Sequence, residues 1–233
     1  MTGPGRTIAI FGAGGATGAA AARLASERGL SVRAIEHGWP ADAPDSERIT
    51  HHTADVMTDD LAALVDGTDA VISAIGLGLS PQTVLHPPPL YTRGTGHIAD
   101  AMERTGVRRL AVISATFVET RNIGPLWFRL SAMPALSRTY AQMAEMEAML
   151  RARRAIDWTA ARPGWLLDLP YTGDYRVTDN RIAPGLIRTR HADLADFLLR
   201  CVTQDRHVGE TPAIARKEER RYESPEALAA EFG

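Results

Sequence analysis

Apolar residues recur along this chain in short runs separated by longer amphipathic stretches. Thr7-Ile8-Ala9-Ile10-Phe11 is the first run and stops at glycines. Ser31 to Ile35, Ala70 to Ala74, Arg109 to Ser114 and Trp158 to Ala161 repeat the theme, and Arg48 to Thr53 is a weaker copy. Short apolar runs bounded by turn formers predict buried strands. Between them, Ala19 to Arg28 is alanine-rich and closed by Gly29, a helix stop. Helical spacing returns over Asp59 to Val65, Pro89 to Thr105, Ser137 to Arg153 and Ala192 to Val202. From Pro163 to Pro184, clusters of Gly, Pro, Asp and Asn predict loops. Ser224-Pro225-Glu226 predicts a final short helix, with serine as cap and proline in its first turn. Strands alternating with helices imply βαβ units and a parallel sheet.

The link between the first strand and first helix carries the clearest chemistry. It reads Gly12-Ala13-Gly14-Gly15-Ala16-Thr17-Gly18. Gly12 permits a sharp turn, Gly15 lets backbone approach a pyrophosphate, and Gly18 lets helix pack closely on strand. The helix N-terminus then offers free N–H groups and a positive dipole end to phosphates. This pattern predicts a dinucleotide site on a Rossmann-type, doubly wound α/β fold, a mainly parallel sheet with helices on both faces. A single domain over residues 1–233 is expected, with substrate-side loops from 77–90, 115–136 and 163–186.

Composition agrees and narrows the partners. The chain has 233 residues, 45% hydrophobic and 23% charged, with a formal net charge of −2. That is ordinary globular composition with no basic excess for nucleic acid. One cysteine, Cys201, sits in an apolar stretch; it excludes an intrachain disulfide and reads as a buried thiol. No apolar stretch reaches membrane-span length, so a cytoplasmic protein is expected, without membrane or nucleic-acid partners and as monomer or homodimer. The seven histidines show no metal-ligand spacing, and no metal is expected.

The spacing Gly12-x-x-Gly15-x-x-Gly18 resembles that of the short-chain dehydrogenase/reductase superfamily. The chain looks most like its atypical NAD(P)H-binding branch, which includes biliverdin and flavin reductases. Other segments carry the same likeness. Ala54-Asp55-Val56 is similar to the aspartate turn beside adenine. Val71 to Gly76 resembles the fourth strand and its cofactor-lining loop, placing Ala74, Ile75 and Gly76 at the cofactor. Gly106 to Ser114 resembles the fifth strand. Ala161-Arg162-Pro163-Gly164 resembles the segment that closes over the nicotinamide, and His191 to Phe197 the later helix. The resemblance implies NAD or NADP as cofactor.

Glu36 stands at the end of the second strand, 18 residues after Gly18 (36 − 18), with His37 following. A carboxylate there binds the ribose 2′-hydroxyl of NAD and repels a 2′-phosphate. NAD is therefore favoured over NADP, the alternative being a solvated loop carboxylate. Arg33 lies earlier in the strand and is expected to point elsewhere.

Typical members of the superfamily use serine, tyrosine and lysine. Ser114 matches the serine, which orients the substrate carbonyl or else merely caps a helix or strand. Tyr140 is the candidate tyrosine, but four residues on stands Ala144; aligning through Glu147 and Leu150 instead gives Thr139 and Met143. The Tyr-x-x-x-Lys pair is absent, and Lys217 is the sole lysine. Without that lysine a tyrosine keeps a pKa of about 10 and is a poor base at neutral pH. Flavin-type reduction tolerates this, since hydride passes to the acceptor and solvent supplies the proton. Phe117, Trp127, Trp165 and Tyr171, with Phe128, fall in the loops expected at the substrate side; they either form a wall for a flat acceptor or pack beneath the loops. The expected activity is hydride transfer between NAD(P) and a small conjugated acceptor: a quinone, flavin, enone or ketone. The alternatives are a non-catalytic dinucleotide-binding redox sensor and an NAD-dependent isomerase or epimerase.

Overall fold

The computed structural model describes residues 5–40, 46–78, 80–119 and 132–224. Its main sheet has eight strands in the order β3-β2-β1-β4-β5-β6-β10-β8. These are β1 (Thr7–Phe11), β2 (Ser31–Glu36), β3 (Ile49–Thr53), β4 (Ala70–Ser73), β5 (Arg109–Ile113), β6 (Asp157–Pro163), β10 (Pro212–Ala215) and β8 (Arg176–Asp179). All neighbours are parallel except β8, which runs antiparallel to β10 at the edge. The segment 3-2-1-4-5-6 is the doubly wound order of dinucleotide-binding sheets.

Strands buried on both faces read as continuous apolar runs, and β1 shows why. Ile8 and Ile10 point to one face, where α1 (Ala16–Glu27) and α6 (His191–Thr203) pack. Ala9 and Phe11 point to the other, against α2 (Ala62–Val65), α4 (Thr95–Thr105) and α5 (Ala132–Ala152). The outer strand β3 keeps histidine and threonine because it is only half covered.

The region read as loops from Pro163 to Pro184 is corrected: it contains β7 (Trp165–Leu167) and β8. β7 pairs in parallel with β9 (Arg188–Arg190) as a separate ribbon. β10, α3 (Pro81–Leu85) and α7 (Arg220–Glu223) also carry no clear sequence signal. These strands are three or four residues long, and their register comes from partners distant in the chain. Before α4 lies a π-helical turn, Leu90–Gly94. The final helix expected from Pro225 lies outside the described residues, as do Trp127 and Phe128.

Candidate active site

At the carboxyl ends of β1, β2, β4, β5 and β6 opens a cavity of about 800 Å³. Ligands of open α/β sheets bind in this crevice, between the strands where the order reverses.

The glycine turn forms one wall. Gly12 has φ +75° and donates its N–H to Ile35 O at 2.9 Å. A Cβ on Gly12 would stand 2.6 Å from Ala74 O, and one on Gly18 would stand 2.0 Å from Gly12 O. Both positions therefore require glycine, one for the turn and one for the seating of α1 on β1. Gly15 differs. It is the N-cap of α1, with φ −76° and ψ 161°, and a Cβ would meet nothing nearer than Gly12 O at 3.4 Å. Gly15, Ala16 and Thr17 line the cavity, where the first N–H groups of α1 lack intrahelical partners.

Glu36 folds onto this turn. Its Oε2 accepts the Gly14 N–H at 3.1 Å, and its Oε1 accepts the His37 N–H at 3.0 Å. His37 Nδ1 lies 2.6 Å from the same Oε1. Both Glu36 and His37 line the cavity. Arg33 points away: its Nη1 donates to Asp66 O at 2.6 Å and Leu64 O at 3.1 Å, carbonyls ending α2. Asp55 Oδ1 accepts the Met57 N–H at 2.8 Å, so the carboxylate shapes the loop that brings Asp55 and Val56 to the cavity rim. Ala74, Ile75, Gly76, Pro163 and Gly164 complete this part of the lining.

The far wall is aromatic. Phe117 packs at a tilt against Tyr140, ring centroids 5.4 Å apart, and meets Trp165 edge-on at 6.1 Å. Tyr140, Thr139 and Met143 all face the cavity, so either alignment of α5 brings its residues here. Burial, with the neighbouring Tyr91, pushes the Tyr140 phenol far above its ordinary value. Lys217 pairs with Glu223 and does not line the cavity. Tyr171 is not among the lining residues; it is 41% exposed, on a loop held by Asp193, whose carboxylate accepts the Thr172 and Gly173 N–H groups.

Ser114 is 2% exposed and lines the cavity. Its Oγ donates to Glu147 Oε1 at 2.7 Å. Glu147 is held in turn by Arg162, Nε to Oε1 at 2.9 Å and Nη2 to Oε2 at 2.6 Å.

Among the lining residues that sequence reasoning did not pick out as firm site members are Tyr91 and His191. Tyr91, in the π-helical turn, is buried, and its hydroxyl accepts the Leu77 N–H at 3.4 Å. Burial pushes its phenol up. The signal available was an aromatic immediately after the loop expected at the substrate side. His191 Nδ1 lies 2.7 Å from Thr17 Oγ1, bridging the start of α6 to the glycine turn. Burial lowers its pKa, with Asp168 partly opposing. Cys201 is buried with its thiol pushed up to about 12 by burial. Among the described residues no cluster of His, Cys, Asp and Glu could hold a metal. No helix among them is long and apolar enough to cross a membrane.

A cradle that a Cβ would fill at Gly12 and Gly18, opening on a helix N-terminus, fits a dinucleotide pyrophosphate. Comparison with known proteins agrees. The chain belongs to the NAD(P)H-binding family, whose model matches residues 12–205. It is 30% identical over 122 residues to cinnamoyl-CoA reductase 2 of Arabidopsis thaliana, a stretch covering 48% of this chain and 36% of that relative. The chain thus matches only about a third of that relative's length. Among solved structures it resembles ChuY, an anaerobillin reductase of Escherichia coli O157:H7, with TM-score 0.70 and 22% identity over 91% of this chain and 98% of that one. It also resembles a candidate NADH-flavin reductase of Streptococcus pneumoniae, with TM-score 0.71 and 23% identity over 91% and 100%.

Proposed function

We propose that this protein is an oxidoreductase that passes hydride between a nicotinamide dinucleotide and a small, planar, conjugated acceptor, and that it prefers NAD to NADP. The observation that carries this reading is the continuity of one cavity from the glycine turn to the aromatic wall of Phe117, Tyr140 and Trp165. In this reading the N–H groups of Ala16 and Thr17, at the start of α1, hold the pyrophosphate. Glu36 takes the ribose 2′-hydroxyl and disfavours a 2′-phosphate, and Asp55 with Val56 borders the adenine. Ala74 to Gly76, with Pro163 and Gly164, bounds the nicotinamide end. When bound, the reduced nicotinamide supplies the hydride. Phe117 and Trp165 hold the acceptor flat against it, which converts encounter into alignment. Solvent supplies the balancing proton, because no lysine is present to tune Tyr140.

Solved structures that this chain resembles include a candidate NADH-flavin reductase and an anaerobillin reductase, and a flavin is a flat conjugated acceptor, which supports the reading. Oxidation of NADH by the purified protein, followed with a panel of quinones, flavins, enones and ketones, tests the reading. Turnover with at least one class is expected. Tight dinucleotide binding with no turnover across the panel would favour a redox sensor instead.

A further inference from the structure

The polar groups of the cavity divide into donors and an acceptor. Tyr91 and Tyr140 are buried phenols whose burial favours the protonated form, so each keeps a proton to donate. Ser114 is different. Glu147 is 1% exposed and gripped through both oxygens by Arg162, itself 1% exposed. A carboxylate whose two oxygens both accept from a guanidinium serves its neighbours as an acceptor only. The single hydroxyl proton of Ser114 therefore goes to Glu147, at 2.7 Å. The Ser114 backbone N–H is committed as well, to Ala161 O at 2.7 Å. What the Ser114 side chain has left for the cavity is lone pairs.

We infer that Ser114 acts on substrate as a hydrogen-bond acceptor, fixed in that polarity by the buried Glu147–Arg162 pair, and that it selects acceptors bearing an N–H or O–H donor. This reverses the role implied by resemblance to the superfamily, in which the serine orients a substrate carbonyl. It deepens the proposed function and rests on it for the site, not for the polarity. Glu147 is then a positioning residue: it touches no substrate and sets which way the serine proton points. The matching ligand is a flat ring system carrying an oxo group for the phenols and a donor for Ser114. A methylated analogue would leave the Ser114 oxygen without a partner, a loss that a site built for a donor penalises strongly.

Two pairs of probes test this: isatin against N-methylisatin, and 2-methylamino- against 2-dimethylamino-1,4-naphthoquinone. In the isatin reaction, NADH delivers hydride to the ketone carbon and solvent a proton to its oxygen, giving the 3-hydroxy lactam and NAD. In at least one pair the N–H compound should be favoured in kcat/KM by about tenfold or more. In Ser114→Ala that ratio should fall to near unity, and in Ser114→Thr, which keeps the hydroxyl, it should return. Ser114→Ala is expected to fold, because Glu147 Oε1 retains Arg162 Nε at 2.9 Å; thermal midpoints check this. Parity in both pairs for the wild type overturns the inference, as does a preference that survives Ser114→Ala, which would be steric exclusion of the methyl. Should no probe be reduced, hydride transfer to these acceptors fails as a reading. The same ratios, taken as dissociation constants on the NAD-loaded protein, then decide the polarity, and binding of none of the four counts against it.

Discussion

Four residues beyond Tyr140, where a lysine would draw its phenol toward neutral pH, stands Ala144. Burial and Tyr91 push the phenol in the opposite direction. A group protonated throughout the working range can donate a hydrogen bond but cannot titrate during turnover. Tyr140→Phe should therefore leave most of kcat and the whole pH–rate profile intact. Trp165→Ala should cost more, on the order of tenfold or above, because it removes one side of the wall that aligns the acceptor. Loss of a titrating limb in Tyr140→Phe would show a tuned tyrosine working without lysine. Glu36 makes a separate case. Its carboxylate already accepts the Gly14 N–H, which holds it over the turn, where the proposed reading puts the adenosine ribose. Removing it in Glu36→Ala should narrow the gap between the dissociation constants for NAD and NADP. A wild type that binds NADP more tightly would refute this placement.

At the scale of elements, β1, the glycine turn and α1 form the unit to which the proposed reading assigns the pyrophosphate, and its glycines are not equivalent. Gly12 and Gly18 have no room for a side chain, so substitution there damages the fold itself. Gly15 has an ordinary φ and ordinary Cβ space, and aspartate is a favoured N-cap. Gly15→Asp should thus keep or raise the thermal midpoint while placing a negative charge against the pyrophosphate. Dinucleotide affinity should fall on the order of a hundredfold, about 2.7 kcal/mol; unchanged affinity by calorimetry would remove this turn from the site. The same unit shows what sequence can carry. β1 and β4 are apolar on both faces, β2 and β5 nearly so, and the turn between β1 and α1 is written in consecutive residues, so these were legible. β7, β8, β9 and β10 were not. Arg188, Thr189 and Arg190 become a strand only beside Trp165 to Leu167, and Arg162 is tolerable inside β6 only because Glu147, 15 residues earlier, meets it. Tyr91 escaped for a related reason. Which way an aromatic points from a π-helical turn depends on a phase that local spacing does not encode.

Across the whole molecule, α6 ties the dinucleotide half of the sheet to the later strands through buried ionisable groups. Burial works against ionisation of Asp196, but the Tyr175 hydroxyl and the Arg28 and Arg200 guanidiniums outweigh it and hold its pKa below 3.8. The Arg190 guanidinium, helped by Arg216 and against burial, holds Glu218 below 4.5. Both are depressed carboxyls, so the stability they contribute is present at neutral pH and is lost as pH falls through their folded values. His191, at the head of α6 against Thr17, is depressed below 6.5 mainly by burial, so the fold resists its protonation. As pH falls past about 6.5 the unfolded chain takes up that proton first, and stability declines until the folded imidazole also titrates. At the other end, the buried Cys201 thiol is raised above 9.0 and the buried phenols of Tyr91, Tyr140 and Tyr175 above 10.0, so the unfolded chain ionises first and stability falls from about pH 8.5 upward. Urea midpoints measured from pH 4 to 11 should trace a plateau between about pH 7 and 8, a decline above about 8.5 that begins with Cys201, a first acid decline below about 6.5 and a steeper one below about 4.5. In His191→Asn the first decline should flatten while the steeper one remains. An identical slope between pH 7 and 5 in both proteins would show that His191 is not the group whose protonation the fold resists, and would move that role to another element.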